Sequence, residues 1–221
     1  MVVEVSSHAL AMGRVDPLHF SCVGFTNLSQ DHLDYHGTME QYFQTKASLF
    51  SPQRSDRQVI IVDGVWGQRL AEQLERSGQH DYVTLSLTGR PADWQGKIIE
   101  LDGGFTELRL RAFDGKEASV QVRMPGTFNA INAALAIVMV VTGLSPSPRQ
   151  LDGDILRHLT VNPIRLDVPG RMELLCEAPR VIVDFAHNPD STKILLDTMR
   201  ISTKGRLLLV MGADGQRLSL I

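Results

Sequence analysis

A loop crowded with acids, histidines and small polar residues, Asn27-Leu28-Ser29-Gln30-Asp31-His32-Leu33-Asp34-Tyr35-His36-Gly37, precedes a segment in which one lysine breaks the pattern. Met39, Tyr42, Phe43 and Phe50 fall at i, i+3, i+4 and i+11, the apolar stripe of a helix over 38–50 that stops before Pro52. Lys46 lies at i+7, inside that stripe. A solvated lysine belongs on the opposite face, because burying an unpaired ammonium is costly and drives its pKa down. Two readings stay open: Lys46 snorkels past the stripe to water, or its nitrogen is used chemically. Glu4 is the second unusual residue. Residues 2–5 read as a short buried strand, where an acid is rare unless paired or bound to a metal. Strand ends line the ligand crevice of open α/β sheets, so Glu4, Asp31 and His32 are expected along one edge. Oxygen and nitrogen groups gathered there suit a hard divalent cation that keeps several waters, as magnesium does beside phosphates.

The elements that must position these residues alternate. Strand 2–5 is followed by a helical stretch at 8–12, a buried strand at 20–26 and the Lys46 helix. Next come strand 58–63, helix 66–75 with Gly78 beyond its end, and strand 82–87. This alternation predicts a parallel sheet covered on both faces. Period two then takes over at 97–101, 106–112 and 118–124, separated by Asp102-Gly103-Gly104 and Asp114-Gly115, and predicts an antiparallel meander attached to the sheet. Helices are expected at 127–142 and 148–159 and a linker at 163–170. Strands at 172–176, 180–184 and 206–211 with a helix at 190–201 read as the start of a second, Rossmann-like α/β domain. The predicted fold class is α/β, with the boundary between residues 168 and 169.

Composition narrows the setting. With 43% hydrophobic and 21% charged residues among 221 and a net charge of −3, the chain reads as soluble and globular. It lacks the basic footprint of a nucleic-acid partner. The longest apolar run, 133–141, is too short to cross a bilayer, so no membrane is expected. Glu4 sits where a signal peptide would be basic, which points to the cytoplasm. Cys22 and Cys176 read as buried free thiols of a reducing compartment. Both ends read as cut, so the sequence predicts a fragment.

Glu4-Val5-Ser6-Ser7-His8, the loop Thr26 to Gly37 and Lys46 closely resemble the Mur ligase family, nearest its tripeptide-synthetase branch. Further matches are Pro125-Gly126-Thr127-Phe128-Asn129-Ala130-Ile131-Asn132, Gly170-Arg171-Met172-Glu173 and Asp184-Phe185-Ala186-His187-Asn188-Pro189-Asp190. The resemblance implies the central ATPase domain of a ligase over 1–168 and part of a C-terminal domain over 169–221. It implies a cytoplasmic enzyme of peptidoglycan synthesis, and hence of cell-wall biogenesis, cell shape and division. That enzyme would join a diamino acid, diaminopimelate by preference, to a UDP-N-acetylmuramoyl dipeptide at the expense of ATP.

Residue by residue, the resemblance implies that Lys46 carries a carbamate that turns a cation into a magnesium-holding anion. Glu4 and His32 would complete the metal site, with Lys46 and His32 catalytic. Ser6 and Arg14 would bind the dipeptide substrate, and Met12 stands where the family often has glutamine. Asn129, Asn132, Arg171 and Asp184 would contact the nucleotide, and His187 lies in the same motif as Asp184. The chain is read as a monomer.

The phosphate-cradling G-x-x-x-x-G-K-[ST] loop is absent from the sequence. Ligase turnover by the isolated chain is therefore not expected. The stretch at 210–217 resembles the family's glycine-rich segment, with Asp214 and Gln216 departing from it. Three alternatives stay open. One is a non-catalytic remnant or a piece completed by another chain, and the second is a related ligase such as folylpolyglutamate synthase. The third, a hydrolase with a carbamylated lysine, lacks the H-x-H ligand pair of that class, since no two histidines sit two apart.

Overall fold

β-Branched runs bounded by turns build the sheet. The computed structural model describes residues 1–100, 106–123, 126–148, 154–155, 157–158, 164–165 and 168–212. Seven strands lie side by side in chain order: β1 (Val23–Phe25), β2 (Gln58–Ile61), β3 (Tyr82–Ser86), β4 (Trp94–Glu100), β5 (Thr106–Ala112), β6 (Glu117–Arg123) and β7 (Ile164–Arg165). β1 to β4 pair in parallel, β4 to β6 antiparallel, and β7 runs parallel to β6. All four residues of β2 are buried, as a parallel strand covered on both faces requires. β5 instead buries Thr106, Leu108, Leu110 and Ala112, every second residue, which is the signature of the meander. The strand–helix alternation and the switch to antiparallel pairing were both legible in the sequence.

Helices cover the two faces. Val59 and Ile61 of β2 pack with Val83, Leu85, Trp94 and Leu108 beneath α5 (Thr127–Leu144). Ile60 points the other way, toward Leu10 of α1 (Ser7–Ala11), Phe43 of α3 (Met39–Ala47) and Leu70 and Leu74 of α4 (Val65–Arg76). A short helix, α2 (Leu33–His36), leads into α3. The C-terminal unit is an antiparallel hairpin, β8 (Glu173–Glu177) with β9 (Arg180–Val183), followed by α6 (Pro189–Ser202).

Several expectations are corrected. Residues 2–5 form no strand and Glu4 is exposed: among the described residues no neighbour pairs with them, and strand propensity has little force without one. The strand expected at 20–26 shortens to β1, with one isolated bridge from Phe20 to Ser55. Residues 206–211 likewise form no ladder, with Leu208 and Val210 largely exposed. The linker expected at 163–170 contributes β7. Of the helix expected at 148–159, residues 154–155 and 157–158 are helical and Pro148 is in a turn; the rest lies outside the described residues. So do Asp102-Gly103-Gly104, Pro125 and the 213–217 part of the glycine-rich stretch. α5, at 18 residues and mean hydropathy 1.8, is long and apolar enough to cross a membrane; here its buried residues pack on the sheet as a core helix. Cys22 is partly buried, and burial pushes its thiol up to about 12, whereas Cys176 is exposed.

Two close approaches fix the parallel half. Asp63, just beyond β2, accepts from Ser86 Oγ at 2.6 Å, Thr88 Oγ1 at 2.7 Å and the Leu87 N–H at 2.8 Å, tying the ends of β2 and β3 together. Burial alone would raise the Asp63 pKa, but these hydrogen bonds outweigh it and hold the carboxyl below its ordinary range. Gly67 lets α4 sit directly on the end of β2: a Cβ there would stand 1.9 Å from the Ile61 carbonyl oxygen. In an unconstrained helix, alanine for glycine gains about 1 kcal/mol. Here Gly67→Ala should instead destabilise the protein by about 2–3 kcal/mol, because rigid backbone rather than a flexible side chain must move. Urea unfolding of the two proteins tests this, and an unchanged or higher midpoint would show that the helix can shift freely.

Candidate active site

The site gathers the segment before α1, the His32 turn into α2 and the last turn of α3. Ser6 caps α1, its Oγ accepting the Ala9 N–H at 3.1 Å, and Thr38 caps α3 by accepting from Gln41 N–H at 3.2 Å. Tyr42, Phe43 and Ala47 bury one face of α3. Arg69 of α4 fastens the helix from outside, with two hydrogen bonds to Glu40 and its guanidinium 4.7 Å above the Phe43 ring. Those contacts hold the Glu40 carboxyl below its ordinary pKa.

Lys46 is thereby turned inward. Its Nζ donates to the Val5 carbonyl oxygen at 3.1 Å, and the side chain is partly buried rather than extended into solvent. Burial pushes its pKa down, and the nearby charge of Glu4 partly opposes that. Lys46 and Glu4 are thus brought together, although Glu4 lies on an exposed segment rather than in a strand.

His32 sits at the entry to α2 in the left-handed region, φ 54° and ψ 25°. A non-glycine residue pays about 1 kcal/mol there. The Asp31 carboxylate offsets this by accepting the His32 N–H at 2.8 Å. The His32 ring stands edge-on to His8 at 4.8 Å, and His8 lies 5.8 Å from His36, which stacks on Tyr42 at 5.0 Å. His8 and His36 were quoted in the sequence motifs without a role. The i, i+4 spacing of His32 and His36 was the available signal, but His8 joins them only through the packing of α1 on α3.

Of the other expected residues, His187 reaches the His32 loop, its Nε2 lying 4.0 Å from Asp31 Oδ2. Arg14 is exposed beyond α1. Asn129 is buried in the first turn of α5, and Asn132, one turn on, is exposed. Asp184 accepts from the Met172 and Ala186 N–H groups at 3.0 and 2.8 Å, which fixes the turn that carries Arg171. The Arg171 guanidinium lies 5.5 Å from the Phe185 ring. His187 Nδ1 pairs with the Phe185 carbonyl at 2.9 Å.

A metal would need Lys46 changed. Among the described residues, no three of His, Cys, Asp and Glu stand close enough together to hold an ion. Unmodified Lys46 only donates hydrogen bonds. A carbamate on its partly desolvated amine would supply an acceptor beside Glu4, and on that condition the residues would fit a magnesium ion.

A mostly parallel sheet covered by helices, an antiparallel extension and an appended hairpin–helix unit, with a partly buried lysine held against the Val5 carbonyl, define an α/β protein of the ligase-like kind. The chain belongs to the Mur ligase family. The Mur ligase middle domain matches residues 1–140, and the Mur ligase, glutamate ligase domain matches residues 170–219. The chain is 40% identical over 98% of its length to the UDP-N-acetylmuramoyl-L-alanyl-D-glutamate–2,6-diaminopimelate ligase of Corynebacterium glutamicum, covering 40% of that protein. It is also 40% identical over 97% of its length to the UDP-N-acetylmuramyl-tripeptide synthetase of Leifsonia xyli, covering 41% of it. The chain thus spans about two-fifths of the length of these relatives. A solved 2,6-diaminopimelate ligase superposes with a TM-score of 0.66 at 27% identity, over 89% of this chain and 39% of that one. A folylpolyglutamate synthase of Lactobacillus casei, at 18% identity and TM-score 0.60, shares the fold; 84% of this chain and 43% of that one are covered.

His36 provides a test of the cluster. It is buried, its Nε2 finds no hydrogen-bond partner among the described residues, and burial followed by the neighbouring His8, His32 and Lys46 charges lowers its pKa, with Asp34 opposing. Because the folded state binds this proton less readily than the unfolded chain, the stability tied to it is complete above the ordinary value of about 6.5 and is lost as pH falls from there. Unfolding free energies at pH 7.5 and 5.5, roughly one unit either side of that value, should show His36→Phe to be less acid-sensitive than the parent. Equal slopes would remove His36 as a buried neutral imidazole.

Proposed function

We propose that this chain forms the core of an ATP-dependent amide ligase of peptidoglycan precursor synthesis. It would act in the cytoplasm and add the third residue, meso-diaminopimelate, to UDP-N-acetylmuramoyl-L-alanyl-D-glutamate. Residues 1–168 would belong to the central domain and 169–221 to the C-terminal domain. The observation that carries the reading is the placement of Lys46: a partly buried amine with a lowered pKa, set against the Val5 carbonyl beside Glu4, in a chain 40% identical to ligases named for this reaction. The name of the Corynebacterium relative favours diaminopimelate over other diamino acids.

In this reading a substrate carboxylate attacks the γ-phosphate of ATP, releasing ADP and giving an acyl phosphate. The incoming amine then displaces phosphate to form the amide. Magnesium, when bound, neutralises charge on the transferring phosphoryl group. Carbamylated Lys46, Glu4 and His32 would hold it. The α3 stripe and the Arg69–Glu40 pair would keep Lys46 from swinging to solvent. Asp31 sets the backbone of His32. Ser6 and Arg14 flank α1 on the side assigned to the dipeptide. Asn129, Asn132, Arg171 and Asp184 would bracket the nucleotide, with Asp184 acting through the backbone turn it holds.

The test is direct. In forming the carbamate, the neutral Lys46 amine attacks carbon dioxide, an N–C bond forms and one proton leaves to solvent. Only the neutral amine reacts, so the adduct should grow as pH rises through the lowered pKa of Lys46. Chemical trapping and peptide mass analysis after incubation with labelled bicarbonate should place the label on Lys46. Magnesium should raise its occupancy, and Lys46→Arg should abolish it. A folded protein whose Lys46 stays unlabelled with magnesium present would overturn the metal-site reading.

A further inference from the structure

Asp31 divides its carboxylate between two parts of the chain. Oδ1 accepts the His32 N–H at 2.8 Å and supports the left-handed turn into α2. Oδ2 accepts from Asn188 Nδ2 at 3.3 Å, across 157 positions of sequence. Asn188 is divided in the same way. Its Oδ1 accepts the Ser191 N–H at 2.9 Å as the N-cap of α6, which fixes the amide and directs its NH2 group to Asp31. The carboxylate is mostly buried, with 17% of its side-chain surface exposed, so water competes poorly for either oxygen.

We propose that Asp31 and Asn188 form a latch, a pair of positioning residues through which the seating of the α6 unit and the geometry of the His32 loop hold each other in place. If α6 moves away, Oδ2 loses the Asn188 donor, and His187, whose Nε2 lies 4.0 Å from the same oxygen, withdraws with it, so the carboxylate is held less firmly against the His32 N–H. The left-handed turn then loses the bond that offsets its strain. If the His32 turn relaxes, Asp31 no longer faces Asn188. Coupling of this kind acts equally in both directions. His32 as a metal-site group rests on the function proposed above, whereas the latch itself does not.

Exchanging the two residues tests the idea in the full chain. In Asp31→Asn, one of the two bonds is lost whichever way the new amide turns. In Asn188→Asp, two carboxylates face each other. In the double exchange, the amide oxygen at position 31 still accepts from His32 and its NH2 donates to the carboxylate at 188. That carboxylate still caps α6 with its other oxygen.

Hydrogen-exchange mass spectrometry should show each single variant exchanging about tenfold faster in both the 27–37 and the 185–195 segments, the size expected for losing one hydrogen bond to a charged group. The double exchange should restore both segments. Variants that disturb only their own segment, or a double exchange that behaves as the sum of the two singles, would overturn the latch. A failed carbamate test alongside intact rescue would remove the metal reading and leave the latch standing.

Discussion

The bond between the Lys46 amine and the Val5 carbonyl sets the terms for the rest of the site. A lysine on the buried face of α3 is tolerable only if its nitrogen finds an acceptor, because an ammonium without one is too costly to bury. Val5 supplies that acceptor from an extended segment that no strand pairing holds. The segment in turn is fixed by Ser6, which caps α1, and by the packing of α1 on α3. The lysine therefore helps to place the chain that satisfies it. Burial then leaves the amine easier to deprotonate, with the Glu4 charge as the counterweight.

The histidines around it follow a related logic. His8, His32 and His36 come from three places in the sequence and meet within about 6 Å, where His8 and His32 add to burial in disfavouring charge on His36. Lys46 adds to that field from one side and Asp34 opposes it from the other. A neutral His36 can stack flat on Tyr42 and act as wall rather than as ligand. His32, less buried and held by Asp31, keeps its ring available. Residues of one type thus divide into packing and chemistry according to burial and backbone.

How much of this the sequence disclosed depends on the range of the interaction. Period-two alternation over 106–112 and the apolar run Val59-Ile60-Ile61 of β2 are local signals, and both became the strands they suggested. The same kind of signal misled at residues 2–5 and 206–211, because a strand exists only where a partner runs beside it and local pattern carries no information about partners. Lys46 was conspicuous as a break in an i, i+3, i+4 stripe, yet the identity of its acceptor was hidden 41 residues away in a backbone carbonyl. Glu4 was singled out on the premise of a buried strand. The premise did not hold, but the residue still faces Lys46.

The same argument explains why Asp31, read from sequence only as one of the groups gathered for a divalent cation, gave no sign of its bond to Asn188. An aspartate before a histidine in a polar loop is most simply a turn residue, and half of its carboxylate serves that purpose. The other half is spent on the cap of a helix in a different unit. Asn188 likewise reads from sequence as an ordinary N-cap, with Pro189 following at the first helical position. Each residue is fully explained by its neighbours in the chain, so nothing local signals the bond between them. A site built at the junction of two units draws its precision from such doubly used polar groups, since each hydrogen bond that completes a local turn also orients the group that reaches across.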